Sequence, residues 1–259
     1  MKKQRIDLLL VERGLAESRN RAQRLVMAGE VRVNGEMIHK PSTQVAIDSQ
    51  IEVLQRPRYV SRGGFKLEAA ITAFDVDVNG RVCADVGAST GGFTDCLLQH
   101  GAVKVYAIDV GYGVLHWKLR QDERVVVMER TNARYLEMMP EPVDLVTVDA
   151  SFISLSLILP SVRDWLREPG GQVIALIKPQ FEAGRKAAAE HAGVIKDREV
   201  HAQVLKETLN AMGVIGFEPR GLIVSPIKGP KGNIEFLVNL IVGNPLNSHN
   251  VKKFVDQVL

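Results

Sequence analysis

The chain is short of several things, and each shortage removes a class of function. It holds two cysteines in 259 residues, Cys83 and Cys96. That is too few for a disulfide framework, and neither they nor the six histidines show metal-ligand spacing, so no metal is expected. Both cysteines fall in stretches that read as core, which predicts buried free thiols in a reducing compartment. No apolar run reaches the about 18 residues of a membrane span. The nearest, residues 143–160, is interrupted by Asp144 and Asp149. The basic N-terminus lacks an apolar segment behind it, so no secretory leader is expected and the chain reads as cytoplasmic. Internal repeats and low-complexity stretches are absent as well. So are two phosphate-binding fingerprints, G-x-G-x-x-G and a glycine loop closing on Gly-Lys-Ser/Thr.

What is present suits a small domain attached to a larger one. The hydrophobic share, 46%, is enough for a sizeable core. Residues 1–60 carry eleven Lys or Arg against seven Asp or Glu, whereas the remainder holds 22 against 23. A basic small domain beside a neutral large one points to nucleic acid as a partner. The expected division is 1–54 for the small domain, 55–59 for a linker around Pro57, 60–243 for the large domain and 244–259 for a tail or helix. From Arg81 onward apolar stretches recur at 82–86, 104–109, 125–128, 143–149, 172–177, 222–225 and 234–241, with helical patterns in most gaps. That alternation predicts an α/β fold, a mostly parallel sheet with helices on both faces. Ligands of such sheets lie beyond the carboxyl ends of the strands.

The large domain is organised around Asp85-Val86-Gly87-Ala88-Ser89-Thr90-Gly91-Gly92-Phe93, a strand that turns through three glycines into a helix. Glycine admits positive φ and lets a ligand lie against bare backbone. An acid opening the turn disfavours phosphate and suits a ligand with cationic or hydroxyl groups; S-adenosylmethionine is one. Asp109, closing the next strand, is placed to take ribose hydroxyls. Asn132 follows the third strand and is a candidate for adenine, although an asparagine there also suits a plain turn. Three more charges stand at strand ends: Asp149, Lys178 before Pro179, and Glu235 early in the last strand. Lys66 opens a helix after Gly63-Gly64, where the helix dipole favours acids over lysine. Buried charges in such places are costly unless paired or used.

In the small domain, helices are expected over 5–12 and 19–28. Ser18 is placed to cap the second, and Gly29 to end it. Val31-Arg32-Val33, Asn34-Gly35 and residues 36–39 read as a hairpin, with a further strand around Ile51-Glu52-Val53. Arg19, Arg21, Gln23 and Arg24 lie away from Ala22, Leu25 and Val26, which predicts one basic helical face. Lys2, Lys3, Arg5 and Lys40 are set to extend it, each able to meet a phosphate. Lys228 and Lys231 form a second basic loop just before Glu235. Residues 183–193, with Arg185, Lys186 and His191, read as a loop over the site that orders when RNA binds.

Two resemblances rest on these residues. Arg5-Ile6-Asp7-x-x-Leu10, Ser18-Arg19-x-x-Ala22, Leu25-Val26-x-x-Gly29-x-Val31-x-Val33-Asn34-Gly35 and Asp48-x-x-Ile51-x-Val53 resemble the ribosomal S-four type RNA-binding domain. That implies structured RNA as partner, met through the second helix and the hairpin. Lys66, Asp149, Lys178 and Glu235, in their local motifs around the glycine loop, resemble the catalytic tetrad of FtsJ-type 2′-O-ribose methyltransferases. With both together the chain is similar to the TlyA family of ribosomal RNA methyltransferases, also known as haemolysins. The resemblance implies a seven-stranded Rossmann-like sheet with one antiparallel strand, S-adenosylmethionine as cofactor, and ribosomal RNA or ribosomal subunits as partner. The implied target is a cytidine 2′-hydroxyl of either subunit. It also implies the roles: Lys178 as general base, Asp149 orienting it and facing the cofactor, Lys66 as second cation, and Glu235 pairing with a lysine and steering the ribose. A lysine base must be neutral when it acts, which burial and a second cation favour and carboxylates oppose. Two rival readings are a silent ribosome-assembly factor and a membrane-active haemolysin. The second would need a membrane-seeking element that the sequence does not show.

Overall fold

The computed structural model describes residues 2–54, 58–183, 194–229, 231–243 and 248–259. The chain divides into two compact units, Met1–Arg58 and Tyr59–Leu259. The first contains β1 (Lys3–Arg5), α1 (Ile6–Glu12), α2 (Arg19–Met27), β2 (Val31–Val33), β3 (Glu36–Met37), β4 (Gln44–Ala46) and β5 (Ile51–Val53). Strands β3, β2 and β5 form one antiparallel sheet, and β1 pairs with β4 in another. The β2–β3 hairpin turns on Asn34 and Gly35, both at positive φ, which matches the twist of the flanking strands. Asn34 also ties this turn toward β5, its side chain accepting from the Gln50 amide at 2.9 Å. Ser18 caps α2 by accepting from the Arg21 amide, and Gly29 takes the left-handed position beyond its end. Ile6, Leu10, Ala22, Val26 and Val31 form the centre of a small core.

The second unit contains α3 (Gly63–Ala73), β6 (Val82–Val86), α4 (Gly92–Gln99), β7 (Lys104–Ile108), α5 (Trp117–Arg120), β8 (Val125–Met128), β9 (Leu145–Val148), α6 (Leu159–Trp165), β10 (Gln172–Ile177), α7 (Pro179–Glu182), α8 (Arg198–Ile215), β11 (Phe217–Val224), β12 (Phe236–Val242) and α9 (Ser248–Val258). Its seven strands run in the order β11-β12-β10-β9-β6-β7-β8, and β12 alone is antiparallel to its neighbours. Successive residues of a strand face opposite sides. Accordingly Ala84 and Val86 enter one apolar layer while Cys83 enters the other, so the sheet is buried on both faces. Cys83 and Cys96 are both buried free thiols, and burial pushes the Cys83 thiol up to about 12.

Two details of the sequence reading change. Strand β11 starts at Phe217, five residues before the expected 222, because Gly216 ends α8 at positive φ and the chain turns straight into the sheet. The strand-breaking Pro219 and Gly221 are absorbed by a bulge on this edge strand. Glu235 stands immediately before β12, not inside it. The gap between β8 and β9 holds only a 3-10 turn, Ala133–Tyr135. Residues 55–57 of the expected linker, 184–193 of the expected loop with Arg185, Lys186 and His191, and 244–247 of the tail lie outside the described residues. Among the described residues no helix is long and apolar enough to cross a membrane, and no cluster of three or more His, Cys, Asp or Glu could hold a metal.

Candidate active site

Strand register explains why residues far apart in sequence meet. Asp149 directly follows β9 and Lys178 directly follows β10, two parallel neighbours paired with Val148 opposite Ala175. Antiparallel β12 begins where β10 ends, Phe236 opposite Ile177, so Glu235 and Lys178 flank the same end of the sheet. The first turn of α3 contributes Lys66. All four line one cleft of about 1200 Å³.

Within it the charges form two pairs. Lys66 Nζ lies 2.6 Å from Glu235 Oε2, with the glutamate 2% exposed. Lys178 Nζ lies 2.6 Å from Asp149 Oδ1 and donates to Ser151 Oγ at 2.9 Å. Each nearly buried lysine therefore has its own carboxylate, which offsets a desolvation cost of several kcal/mol per ion. Ser151 had no role assigned from sequence. A serine two residues past a strand-end acid gives no local signal of this contact.

Next to Ser151, Phe152 is 90% exposed and sits at positive φ. That backbone conformation is strained for an aromatic residue. Its ring rests 5.0 Å from that of Phe181, which leads from Lys178 into α7. The turn carrying Phe152 is held from below by Glu182, whose oxygens accept from Ser154 Oγ at 2.6 Å and the Leu155 amide at 2.9 Å. Burial raises the Glu182 carboxyl, and those two donors oppose the shift. Exposed Arg134 and Lys231 stand at this cleft.

The glycine loop forms an adjoining cleft of about 430 Å³ that shares Lys66, Gly87, Ser89 and Asp149 with the first and has Lys228 on its rim. A Cβ on Gly87 would lie 2.7 Å from the Asp149 carbonyl oxygen. One on Gly92 would collide with Ser61 Oγ and lie 2.9 Å from the Gly64 nitrogen. The glycines thus serve the protein's own packing as much as a ligand: they let the N-termini of α3 and α4 approach backbone to backbone. Asp95 in α4 completes the junction by accepting from the Val60 amide at 2.8 Å.

The acids of the loop divide. Asp85, expected to face a ligand, does not reach the loop surface. It is sealed beneath the loop, accepting from Thr94 Oγ1 at 2.7 Å and Thr147 Oγ1 at 3.2 Å. Burial pushes its carboxyl up to about 7, with nearby Asp149 adding to the shift and the two hydroxyls opposing it. Asp109 accepts from the Ser89 amide at 2.8 Å and the Gly111 amide at 2.7 Å, one per oxygen, which clamps the loop and leaves lone pairs for a hydroxyl-bearing ligand. Val110, directly after it, is an aliphatic side chain left 69% exposed. A bare strand end of this kind suits a ligand with a flat apolar part. Asn132 uses its side-chain oxygen to cap the 3-10 turn through the Arg134 amide. Neither Asp109 nor Asn132 lines the two clefts, whereas Ala88, Thr90 and Phe93 line the smaller one.

In the first unit the expected single basic face divides as well. Arg19 and Gln23 turn onto buried Asp7, together with Arg5 from β1. Arg21 and Arg24 instead line an open cavity of about 660 Å³ with Leu15, Leu25 and Val53. At about 100° per residue, positions 19 and 23 share one flank of the helix and positions 21 and 24 the other. Lys3 is exposed on β1.

Comparison with known proteins fits this architecture. Residues 59–241 match the FtsJ-like methyltransferase family, and residues 4–51 match the S4 domain. The chain is 52% identical over 246 residues to YqxC of Bacillus subtilis, described as a candidate rRNA methyltransferase, covering 92% of this chain and 86% of that one. It is 44% identical over 238 residues to the 16S/23S rRNA (cytidine-2′-O)-methyltransferase TlyA of Mycobacterium tuberculosis, covering 90% and 88%. A solved chain from Streptococcus thermophilus, described as a hemolysin candidate, is 44% identical with a TM-score of 0.72, covering 99% of this chain and 96% of that one.

Proposed function

The chain belongs to the FtsJ-like methyltransferase family and carries an S4 domain ahead of it; from that premise we propose that it methylates ribose 2′-hydroxyls of ribosomal RNA, taking the methyl group from S-adenosylmethionine. The observation that carries this reading is the meeting of Lys178–Asp149 and Lys66–Glu235 on the walls of one cleft beside the glycine loop.

S-adenosylmethionine, when bound, supplies a methyl group made electrophilic by its sulfonium. Gly87, Ala88, Ser89, Thr90, Gly91, Gly92 and Phe93 would hold it, with Asp109 toward its ribose, Val110 and Asn132 toward its adenine, and Asp149 toward its charged end. Asp85 supports this shelf from behind through Thr94. A ribose hydroxyl is a poor nucleophile until its proton leaves, so a base is required. Lys178 is that base in its uncharged form: its ammonium first gives a proton to solvent, its nitrogen then accepts the 2′-hydroxyl proton, and Asp149 and Ser151 fix the direction from which it does so. Lys66, anchored by Glu235, places a second cation in the same cleft. Much of the acceleration would then come from holding the attacking oxygen in line with the methyl–sulfur bond of the donor.

The substrate must bring one sugar deep enough to reach Lys178, so its base leaves the stack. Phe152, exposed at the cleft mouth and backed by Phe181, offers that base a flat face. Arg134, Lys228 and Lys231 serve the flanking phosphates. In the first unit, exposed Lys3, Arg21 and Arg24, with Arg5 and Arg19, serve structured RNA. The target on this reading is a cytidine of either ribosomal subunit.

The test is to map 2′-O-methyl groups on ribosomal RNA and isolated subunits after incubation with the purified chain and S-adenosylmethionine. New sites should appear with the native chain and vanish with Lys178→Ala, while binding of S-adenosylhomocysteine persists. RNA binding without any methyl transfer by the native chain would overturn the enzyme reading in favour of an assembly factor.

A further inference from the structure

Asp7 is an odd residue for an RNA-binding surface. It adds negative charge to a unit whose partner is anionic, and its carboxylate is fully removed from solvent. Four donated bonds converge on it. Arg5 gives Nε at 3.0 Å and Nη2 at 2.8 Å, Arg19 gives Nε at 3.2 Å, and Gln23 gives Nε2 at 3.0 Å. The donors come from two elements, β1 and α2. The two guanidinium groups are held by their inner edges. Arg19, its side chain 55% exposed, gives only Nε to the carboxylate, and Arg5 gives Nε and Nη2, so the Nη groups of Arg19 and Nη1 of Arg5 make no bond to it.

We infer that Asp7 is a positioning residue for RNA binding: it fixes Arg5 and Arg19 as a preformed pair whose outer N–H groups take backbone phosphate oxygens. This rests on the reading of the first unit as RNA-binding. The physical reason is entropic. A free arginine on a surface loses rotamer freedom when a partner immobilises it. Two arginines already held against a buried carboxylate have lost that freedom on folding. The planar fork also suits the task, since an edge can be spent on the carboxylate and the opposite edge kept for phosphate, which a lysine cannot do. The burial of Asp7 keeps its own charge away from the RNA, and the arginines hold its carboxyl well below the usual carboxylate range, so the pair survives mild acid.

The sign of the predicted effect separates this from simple charge counting. Asp7→Asn removes a negative charge, so electrostatics alone predicts tighter binding. On this inference the full-length Asp7→Asn chain binds in-vitro transcribed 16S and 23S ribosomal RNA about tenfold more weakly, measured by filter binding at two salt concentrations. Asp48→Asn makes the same charge change at an exposed site of the same unit and should bind as the native chain does or slightly tighter. Arg19→Lys provides a second arm that leaves buried Asp7 in place. It keeps the charge at an exposed position but loses the fork, and should also weaken binding. Native affinity in Arg19→Lys, or native or tighter affinity in a folded Asp7→Asn, overturns the role of Asp7. Absence of RNA binding by the native chain overturns the underlying reading instead.

Discussion

Asp7 and Asp85, one in each unit, are both sealed from solvent, and their surroundings drive them in opposite directions. Two arginines and a glutamine hold Asp7 well below the usual carboxylate range. Asp85 has two hydroxyls and no cation, and burial pushes it up to about 7. The difference follows from what each unit can bury. The first has a core built from a handful of side chains, so its carboxylate lies one layer from the surface, within reach of arginines whose ends stay wet. The second places its acid near a strand end inside a two-faced sheet, where its side-chain partners are the hydroxyls of Thr94 and Thr147. On the proposed function, recognition falls to cations with wet ends and chemistry to buried pairs.

The largest test of that contrast is kinetic. Lys178→Ala should lower kcat by about 10³ with little change in KM, the scale of a lost general base. Arg24→Ala in the first unit should leave kcat alone, raise KM less than about tenfold and reduce the salt slope of RNA binding by about one. Equal losses of kcat in both variants would erase the distinction. Next, Glu235→Ala strands Lys66 in the cleft wall without its carboxylate. A buried pair broken in this way costs about 3–5 kcal/mol, read as a lower denaturant midpoint for the second unit's transition. Losing Arg19 from Asp7, by contrast, leaves Arg5 and Gln23 in place, and that transition should barely move.

The pH dependence carries opposite signs in the two units. Asp85 binds its proton more tightly folded than unfolded, so its contribution is full below about pH 4 and is lost as pH rises toward 7, by at most about 4 kcal/mol. Asp7 binds its proton less tightly folded, so its contribution is present above about pH 4 and is lost only on stronger acidification. Moving from pH 7.5 to 5 should therefore raise the melting temperature of the second unit, and Asp85→Asn should flatten the rise. A wild-type transition flat over that range would mean the Asp85 carboxylate is not paying the burial penalty assigned to it.

How much of this could be read beforehand depended on whether the signal was local. Strands 82–86, 125–128 and 172–177 announce themselves as mostly apolar runs, and the structure returns those bounds. The first half of β11 did not, because Pro219, Arg220 and Gly221 argue against a strand unless an edge position and a bulge are known. Strands β1 and β4 are three residues each, too short for a period to show, and β1 is wholly polar. In the cleft, Asp149 and Lys178 stand out as charges closing apolar strands and Lys66 as a lysine opening a helix, and the resemblance to the FtsJ-type tetrad joined Glu235 to them. Ser151, Phe152, Glu182 and Asp95 do not stand out, since each matters only through a partner distant in sequence. Asp7 carries no such signal either, and only its burial and its bonds show it to be the common acceptor of Arg5 and Arg19.

The smallest effect sharpens the comparison most cheaply. Ser18 caps α2 in the first unit, accepting from the Arg21 amide at 3.3 Å. Asp197 caps α8 in the second, accepting from the Glu199 amide at 2.7 Å and the Val200 amide at 3.4 Å. Replacing either by alanine should cost about 1 kcal/mol. The same loss has a different weight in each place. A unit of 58 residues has a small entropy of unfolding, so about 1 kcal/mol should lower its melting temperature by roughly 4–8 °C; in a unit of some 200 residues the shift should be roughly 2–4 °C. Calorimetry of the full-length chain should resolve two transitions, with Ser18→Ala moving one by about twice what Asp197→Ala moves the other. If both variants shift a single common transition by the same amount, the units unfold together, and the tolerance assigned to the RNA-facing unit cannot be its own.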